Sequence, residues 1–353
     1  MRVALIASAR FPIAEPFAGG LEAHTWALAH ALTRRGHHVE LFAAPGSDPE
    51  LAARELPVHR VELSAAARSD ASMPSAAWMA EHHAYLGLML DLARDGEQRF
   101  DVVHNNSLHH LPVAMAPALR VPVVTTLHTP PTPWLESAIL TGPGSPVTFT
   151  AVSRFTAAAW RPTVPAARVV RNGIDTGVWK PGEGGGDLVW SGRLVPEKAP
   201  HLAILAAREA GVPLRLAGPV PDGRYFREQV EPLLGEGARY VGHLDRRGLA
   251  ELLGTAAAAL VTPGWDEPYG LVVAEALACG TPVCGFDRGA LSEILTPDCG
   301  LLAPPGDVKA LAALIPQAMG LDRRAARRRA EQFCCLDRMA DAYTALYEEV
   351  MLR

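Results

Sequence analysis

Short apolar runs recur along this chain, each followed by a stretch of helical periodicity, and the pattern occurs twice. In the first half the runs are 3–7, 39–43, 58–63, 101–104, 121–127 and 147–152. In the second they are 188–192, 214–218, 240–242, 258–263, 282–286 and 301–304. Between them lie segments such as 21–35 and 78–94, whose apolar residues fall at three- and four-residue steps. That alternation predicts the α/β class: parallel sheets covered by helices on both faces. The rhythm breaks at Arg161-Pro162-Thr163-Val164-Pro165, and a glycine-rich loop follows at 182–186. The expected division is therefore 1–170, 171–335 and a last amphipathic helix over 336–353, with Met339, Tyr343, Leu346, Tyr347 and Val350 on one face.

Composition excludes several classes of function. At 353 residues the chain exceeds what one core usually supports, and 49% hydrophobic with 20% charged residues is globular. No apolar run approaches the roughly 20 residues of a membrane span. The first strand begins at Arg2, so no export leader is expected and the chain reads as cytoplasmic. A net charge of −5 argues against nucleic-acid partners. The basic run Arg323-Arg324-Ala325-Ala326-Arg327-Arg328-Arg329 reads as a solvated helix face rather than a membrane patch. Five cysteines without CxxC spacing read as structural thiols. The adjacent pairs His82-His83 and His109-His110 lack a carboxylate at ligand spacing and would diverge on a helix, so no metal site is expected.

Three constellations can carry chemistry. Gly264-Trp265-Asp266-Glu267-Pro268-Tyr269-Gly270-Leu271-Val272-Val273-Ala274-Glu275 follows one apolar run and enters a helix. Open parallel sheets bind ligands at such strand ends, and the helix aims unpaired N–H groups at the same crevice. Glu267 and Glu275 stand at most ~12 Å apart if the intervening residues are helical. That spacing suits a long ligand with hydroxyls at both ends and phosphates between, although helices also commonly begin with acids. Ser191-Gly192-Arg193-Leu194-Val195-Pro196-Glu197-Lys198 leaves the first strand of the second half, and Arg193 with Lys198 could neutralise a diphosphate leaving group. Gly19-Gly20 lets backbone approach a phosphate or serves as a turn. His104 and His128 each end a strand and are expected on the rim of the cleft.

Together these motifs, with Asn172-Gly173-Ile174-Asp175 and Cys299-Gly300-Leu301-Leu302-Ala303-Pro304-Pro305-Gly306-Asp307, resemble the retaining glycosyltransferases of family 4 over nearly the whole chain. The resemblance implies the GT-B fold: two Rossmann-like domains with parallel sheets facing an interdomain cleft, and a C-terminal helix crossing back to the first domain. It implies a nucleotide-sugar donor, with UDP favoured, and a small-molecule or saccharide acceptor. No cofactor and no metal are implied. Donor contacts would come from Gly19, Gly20, Gly192, Arg193, Lys198, Glu267, Pro268, Tyr269, Gly270, Leu271 and Glu275. Of these, Arg193, Lys198 and Glu267 would serve catalysis with His128, and Glu275 would hold the ribose. Two departures stand near the cleft: Gly218-Pro219-Val220-Pro221-Asp222-Gly223, and Arg288 within Asp287-Arg288-Gly289-Ala290. No carboxylate in the set is an obvious nucleophile, which favours front-face transfer over a covalent sugar intermediate. The competing readings are a catalytically silent nucleotide-sugar binder on the same fold, and a nicotinamide dehydrogenase, for which the GxGxxG fingerprint is missing. The region 64–98 offers no acceptor motif, and nothing in the sequence speaks to oligomeric state.

Overall fold

The fold was obtained as a computed structural model, which describes residues 1–56, 64–70, 72, 75–142, 144–235 and 237–352. Two parallel sheets organise it. The first contains β1 (Arg2–Ile6), β2 (His38–Ala43), β3 (Ala53–Glu55), β4 (Val102–Asn105), β5 (Val123–Leu127), β6 (Val147–Ala151) and β7 (Arg168–Val169), in the order β3-β2-β1-β4-β5-β6-β7. The second contains β8 (Leu188–Ser191), β9 (Leu214–Ala217), β10 (Ala238–Tyr240), β11 (Ala258–Val261), β12 (Val283–Phe286) and β13 (Gly300–Ala303), in the order β10-β9-β8-β11-β12-β13. The strand expected at 58–63 lies outside the described residues. Two short edge strands, β3 and β7, were not anticipated.

Central strands such as Val123–Leu127 and Ala258–Val261 are buried along their whole length, which is why they read as continuous apolar runs. In each sheet the strand order reverses beside the first strand, between β1 and β4 and between β8 and β11. Chain connections leave in opposite directions there, so a crevice opens at the strands' carboxyl ends. The segments after β1, β4, β8 and β11 carry Gly19-Gly20, Asn106, Arg193 and Glu267, respectively.

The C-terminal helix Leu336–Met351 returns to the first sheet. Its apolar face, Met339, Tyr343, Leu346, Tyr347 and Val350, joins one core with Val3 and Leu5 of β1 and Leu28 and Leu32 of the helix Gly20–Arg34. Polar bonds fix its register. His104 was expected on the cleft rim but is fully buried, with Nδ1 2.6 Å from the Tyr347 hydroxyl and Nε2 2.7 Å from Thr126 Oγ1. Thr126 in turn meets Thr150 and Tyr343. Burial drives the His104 pKa down to about 3, so the ring is neutral and structural. Tyr347→Phe leaves one His104 nitrogen unpaired in the core and should cost about 1–3 kcal/mol of stability, measured by urea denaturation. An unchanged midpoint would contradict this anchoring role.

The basic segment also departs from expectation. On the helix Arg323–Phe333, three arginines turn inward onto backbone carbonyls. Arg323 donates to Gly182, Gly254, Ala256 and Cys279 carbonyls and to Thr281 Oγ1. Arg327 donates to Thr176, Trp179 and Ala278, and Arg329 to Glu293 and Ile294. These carbonyls belong to loops and helix ends; Gly254 and Cys279 also accept from the Gly184 and Gly182 N–H groups, and the guanidinium fork supplies several donors at once. The solvated-face reading holds only for residues such as Arg328, which is 58% exposed.

Candidate functional site

One cavity of about 400 Å³ lies between the sheets at their carboxyl ends. Gly19, Gly20, His128, Gly192, Arg193, Lys198, Glu267, Pro268, Tyr269, Gly270, Leu271 and Glu275 all line it. Residues up to 256 positions apart in sequence are brought onto one surface.

The second half supplies the charged wall. Thr262 Oγ1 donates to the Ala199 carbonyl at 3.0 Å and the Gly264 N–H donates to Glu197 O at 2.8 Å, so the loop after β11 is stitched to the turn after β8. This stitching brings Lys198 Nζ within 2.5 Å of Glu267 Oε2. An ammonium carries three protons, so Lys198 can keep Glu267 and still donate to a ligand oxygen. The Glu267 backbone is fixed from behind: Ala290 N–H donates to its carbonyl at 2.8 Å, and Gly289 packs so closely, at φ +64°, that a Cβ there would fall 2.2 Å from the same oxygen. Arg288, the departure noted in sequence, donates to the Gly264 carbonyl and lies outside the cavity lining. It braces the loop. Gly218 does line the cavity, and a Cβ there would collide with the Gly192 carbonyl oxygen at 1.8 Å, so the two strand-end turns nest directly.

Glu275 sits on the helix Leu271–Ala278, whose start, Gly270, Leu271 and Val272, lines the cavity. Its side chain keeps some surface open to the cavity but is otherwise enclosed, and desolvation pushes its pKa up to about 7. Between the ordinary carboxyl range and about 7 the folded protein holds a proton that the unfolded chain has released. Stability is therefore greatest below this window and falls as pH rises through it. Thermal midpoints should decline from about pH 5 to pH 8 and Glu275→Gln should flatten that decline; equal slopes in both proteins would rule it out.

The first half contributes Gly19-Gly20 at the start of the helix Gly20–Arg34. A methyl on Gly20 would stand 3.1 Å from Leu271 Cδ1, so the starts of two helices, one from each half, nearly touch. Glu22, in the first turn, was missed by sequence reasoning. It is 5% exposed, and burial raises its pKa while the charge of nearby Arg193 opposes the rise. Arg193 also reaches Glu197 at 3.3 Å, so acids from both halves flank it. The signal available in sequence was a first-turn acid two residues after Gly20. His128 Nε2 lies 2.7 Å from Asn106 Oδ1, with the His24 ring edge-on at 4.9 Å. Burial holds His128 well below its ordinary pKa, so it meets a ligand as a neutral ring.

Tyr269 faces away from the cavity chemistry: its hydroxyl donates to the Asn172 carbonyl at 2.7 Å. The Pro268 carbonyl accepts from Ser153 Oγ at 2.6 Å and Thr156 Oγ1 at 3.1 Å, both from the first half. Glu293 answers from the second half by accepting from the Arg154 and Phe155 N–H groups at the start of the helix Arg154–Trp160. His109 and His110, expected to diverge, lie in the loop after β4 and stack at 4.5 Å, so the helix-face argument does not apply to them.

Two doubly wound halves enclosing a charged cleft form the GT-B architecture. Sequence models described as "Glycosyltransferase Family 4" and "Glycosyl transferases group 1" match residues 18–178 and 177–332. Glycogen synthase of Mycobacterium tuberculosis is 32% identical over 88% of this chain and 85% of its own. A GDP-mannose-dependent phosphatidylinositol dimannoside mannosyltransferase of the same species is 38% identical over 41% of this chain and 40% of its own. Among solved structures, sucrose-phosphate synthase from Thermosynechococcus elongatus superposes with a TM-score of 0.79 at 21% identity, covering 99% of both chains. The chain belongs to glycosyltransferase family 4. Among the described residues no helix is long and apolar enough to cross a membrane.

Proposed function

We propose that the chain transfers a glycosyl group, with retention of anomeric configuration, from a nucleoside diphosphate sugar to a hydroxyl of a saccharide or small-molecule acceptor. The observation that carries this reading is the Lys198–Glu267 pair on a cavity wall shared with Arg193 and Glu275. Arg193, Lys198 and the start of the helix Leu271–Ala278 take the diphosphate, whose negative charge grows as the bond to the sugar breaks. Glu267 holds sugar hydroxyls and Glu275 the ribose. The acceptor oxygen attacks the anomeric carbon from the face the phosphate leaves, and its proton passes to the departing phosphate oxygen. His128 positions the sugar beside Asn106. No metal or cofactor takes part in this step, and the reaction belongs to the cytoplasm.

A saccharide acceptor is supported by the likeness to a glycogen synthase. UDP is the favoured base because UDP donors are common in the family, and the GDP-mannose-dependent relative makes GDP-mannose the competing donor. A thermal-shift panel of UDP- and GDP-sugars, followed by turnover of a labelled donor, tests the reading. A shift with one donor and release of its sugar is expected, because a ligand bound only by the folded state raises the midpoint. A shift without turnover would favour a silent binder, and no shift with any donor would overturn the assignment.

A further inference from the structure

We propose that His82, His109 and His110 form a zinc-class metal site on the first half, outside the donor cavity. His82 comes from the helix Ala76–Arg99, and the other two come from the loop after β4. One ring nitrogen from each lies within 4.8 Å of the other two. Nδ1 of His82, Nε2 of His109 and Nδ1 of His110 are each buried without a hydrogen-bond partner. Buried polar atoms are nearly always paired, so unpaired nitrogens on three rings that gather at one place call for a ligand that accepts lone pairs.

The rings are held in place. His109 stacks on Tyr85 at 4.3 Å, His82 stacks on Trp78 at 5.0 Å, and Trp134 stands edge-on to His110 at 4.8 Å. Stacking of this kind limits reorientation of the ligands, while Trp78 and Trp134, 36% and 40% exposed, keep the site at the surface within reach of an entering ion. Imidazole nitrogens without a carboxylate select zinc-class ions over magnesium or calcium. Zinc–nitrogen bonds of about 2.0–2.1 Å place tetrahedral ligands roughly 3.4 Å apart, so the ring nitrogens would close by at most about 1.4 Å on loading, leaving the fourth position open.

One contact opposes the site. The Leu111 N–H donates to His109 Nδ1 at 3.2 Å, which puts that ring's proton on Nε2. Ligation through Nε2 moves the proton to Nδ1 and gives up one neutral hydrogen bond, a smaller term than the metal–nitrogen bonds gained. The other histidine group, His30 with Asp48 and Glu50, is less suited, because Asp48 is already committed to Trp26 Nε1 at 2.8 Å and to the Glu50 N–H at 3.0 Å.

The test is metal binding by the full chain, purified on a tag free of histidine, stripped with chelator and dialysed against Zn²⁺. One zinc per chain is expected in the wild type and in His83→Ala, an exposed neighbour. Retention should weaken about tenfold or more in His82→Ala and in His110→Ala, since even outer-shell losses cost 10- to 100-fold. Substituted Co²⁺ should give a visible band, and Zn²⁺ should raise the wild-type thermal midpoint, which does not depend on the variants folding. Sub-stoichiometric zinc in the wild type, as a bridging water alone would produce, overturns the proposal. So does undiminished retention by His82→Ala, or loss in Asp48→Asn alone.

Discussion

Lys198→Ala is expected to lower glycosyl transfer by about 2 to 4 kcal/mol of transition-state stabilisation, roughly 30- to 1,000-fold, and Arg193→Ala by a similar amount. A preorganised cation loses most where charge develops, so the fall should appear chiefly in kcat rather than in donor affinity. One complication follows from the geometry: removing Lys198 leaves Glu267, only 13% exposed, without its partner. The double variant Lys198→Met/Glu267→Gln removes both charges and should recover stability without recovering turnover. Near-wild-type kcat in both single variants would remove these cations from the mechanism.

The second large effect lies far from the chemistry. Arg323→Met removes the donor shared by four carbonyls and Thr281 Oγ1, of which Gly254 and Cys279 keep a backbone partner, and the acceptors left unpaired should destabilise the chain by about 3–5 kcal/mol. Arg328→Met, five residues further along the same helix and exposed, should stay within about 0.5 kcal/mol of wild type. Urea midpoints compare the two directly. Equal midpoints would mean that the five contacts contribute nothing beyond what water would supply.

The same arginines mark where sequence reading stops. A run of arginines looks solvated because their acceptors here are main-chain carbonyls from 176 to 294, which no side-chain pattern announces. The central strands and the residues lining the cavity were legible, since buried parallel strands are apolar throughout and ligands gather at their carboxyl ends. The edge strand Ala53–Glu55 was not, because Ala-Arg-Glu has no pattern of its own and pairs only because β2 offers a free edge. His104 misled for a related reason. A strand-end histidine faces either cleft or core, and here the returning C-terminal helix, 243 residues away at Tyr347, decided it. Glu22, the Pro268 contacts and the meeting of His82 with His110 are likewise pairings across long sequence separations.

The Pro268 contacts bear on how the two halves respond to a donor. Pro268, next to Glu267, is held by Ser153 and Thr156 of the first half, so the carboxylate that would grip a sugar and the bonds that join the halves occupy consecutive residues. Any separation of the halves would break the Pro268 bonds and leave Glu267 held by the second half alone, through Ala290 and the Gly264 contacts. A ligand that touched both Glu267 and the first-half lining of the cleft would, by linkage, strengthen this joint by the same factor that the joint adds to its affinity.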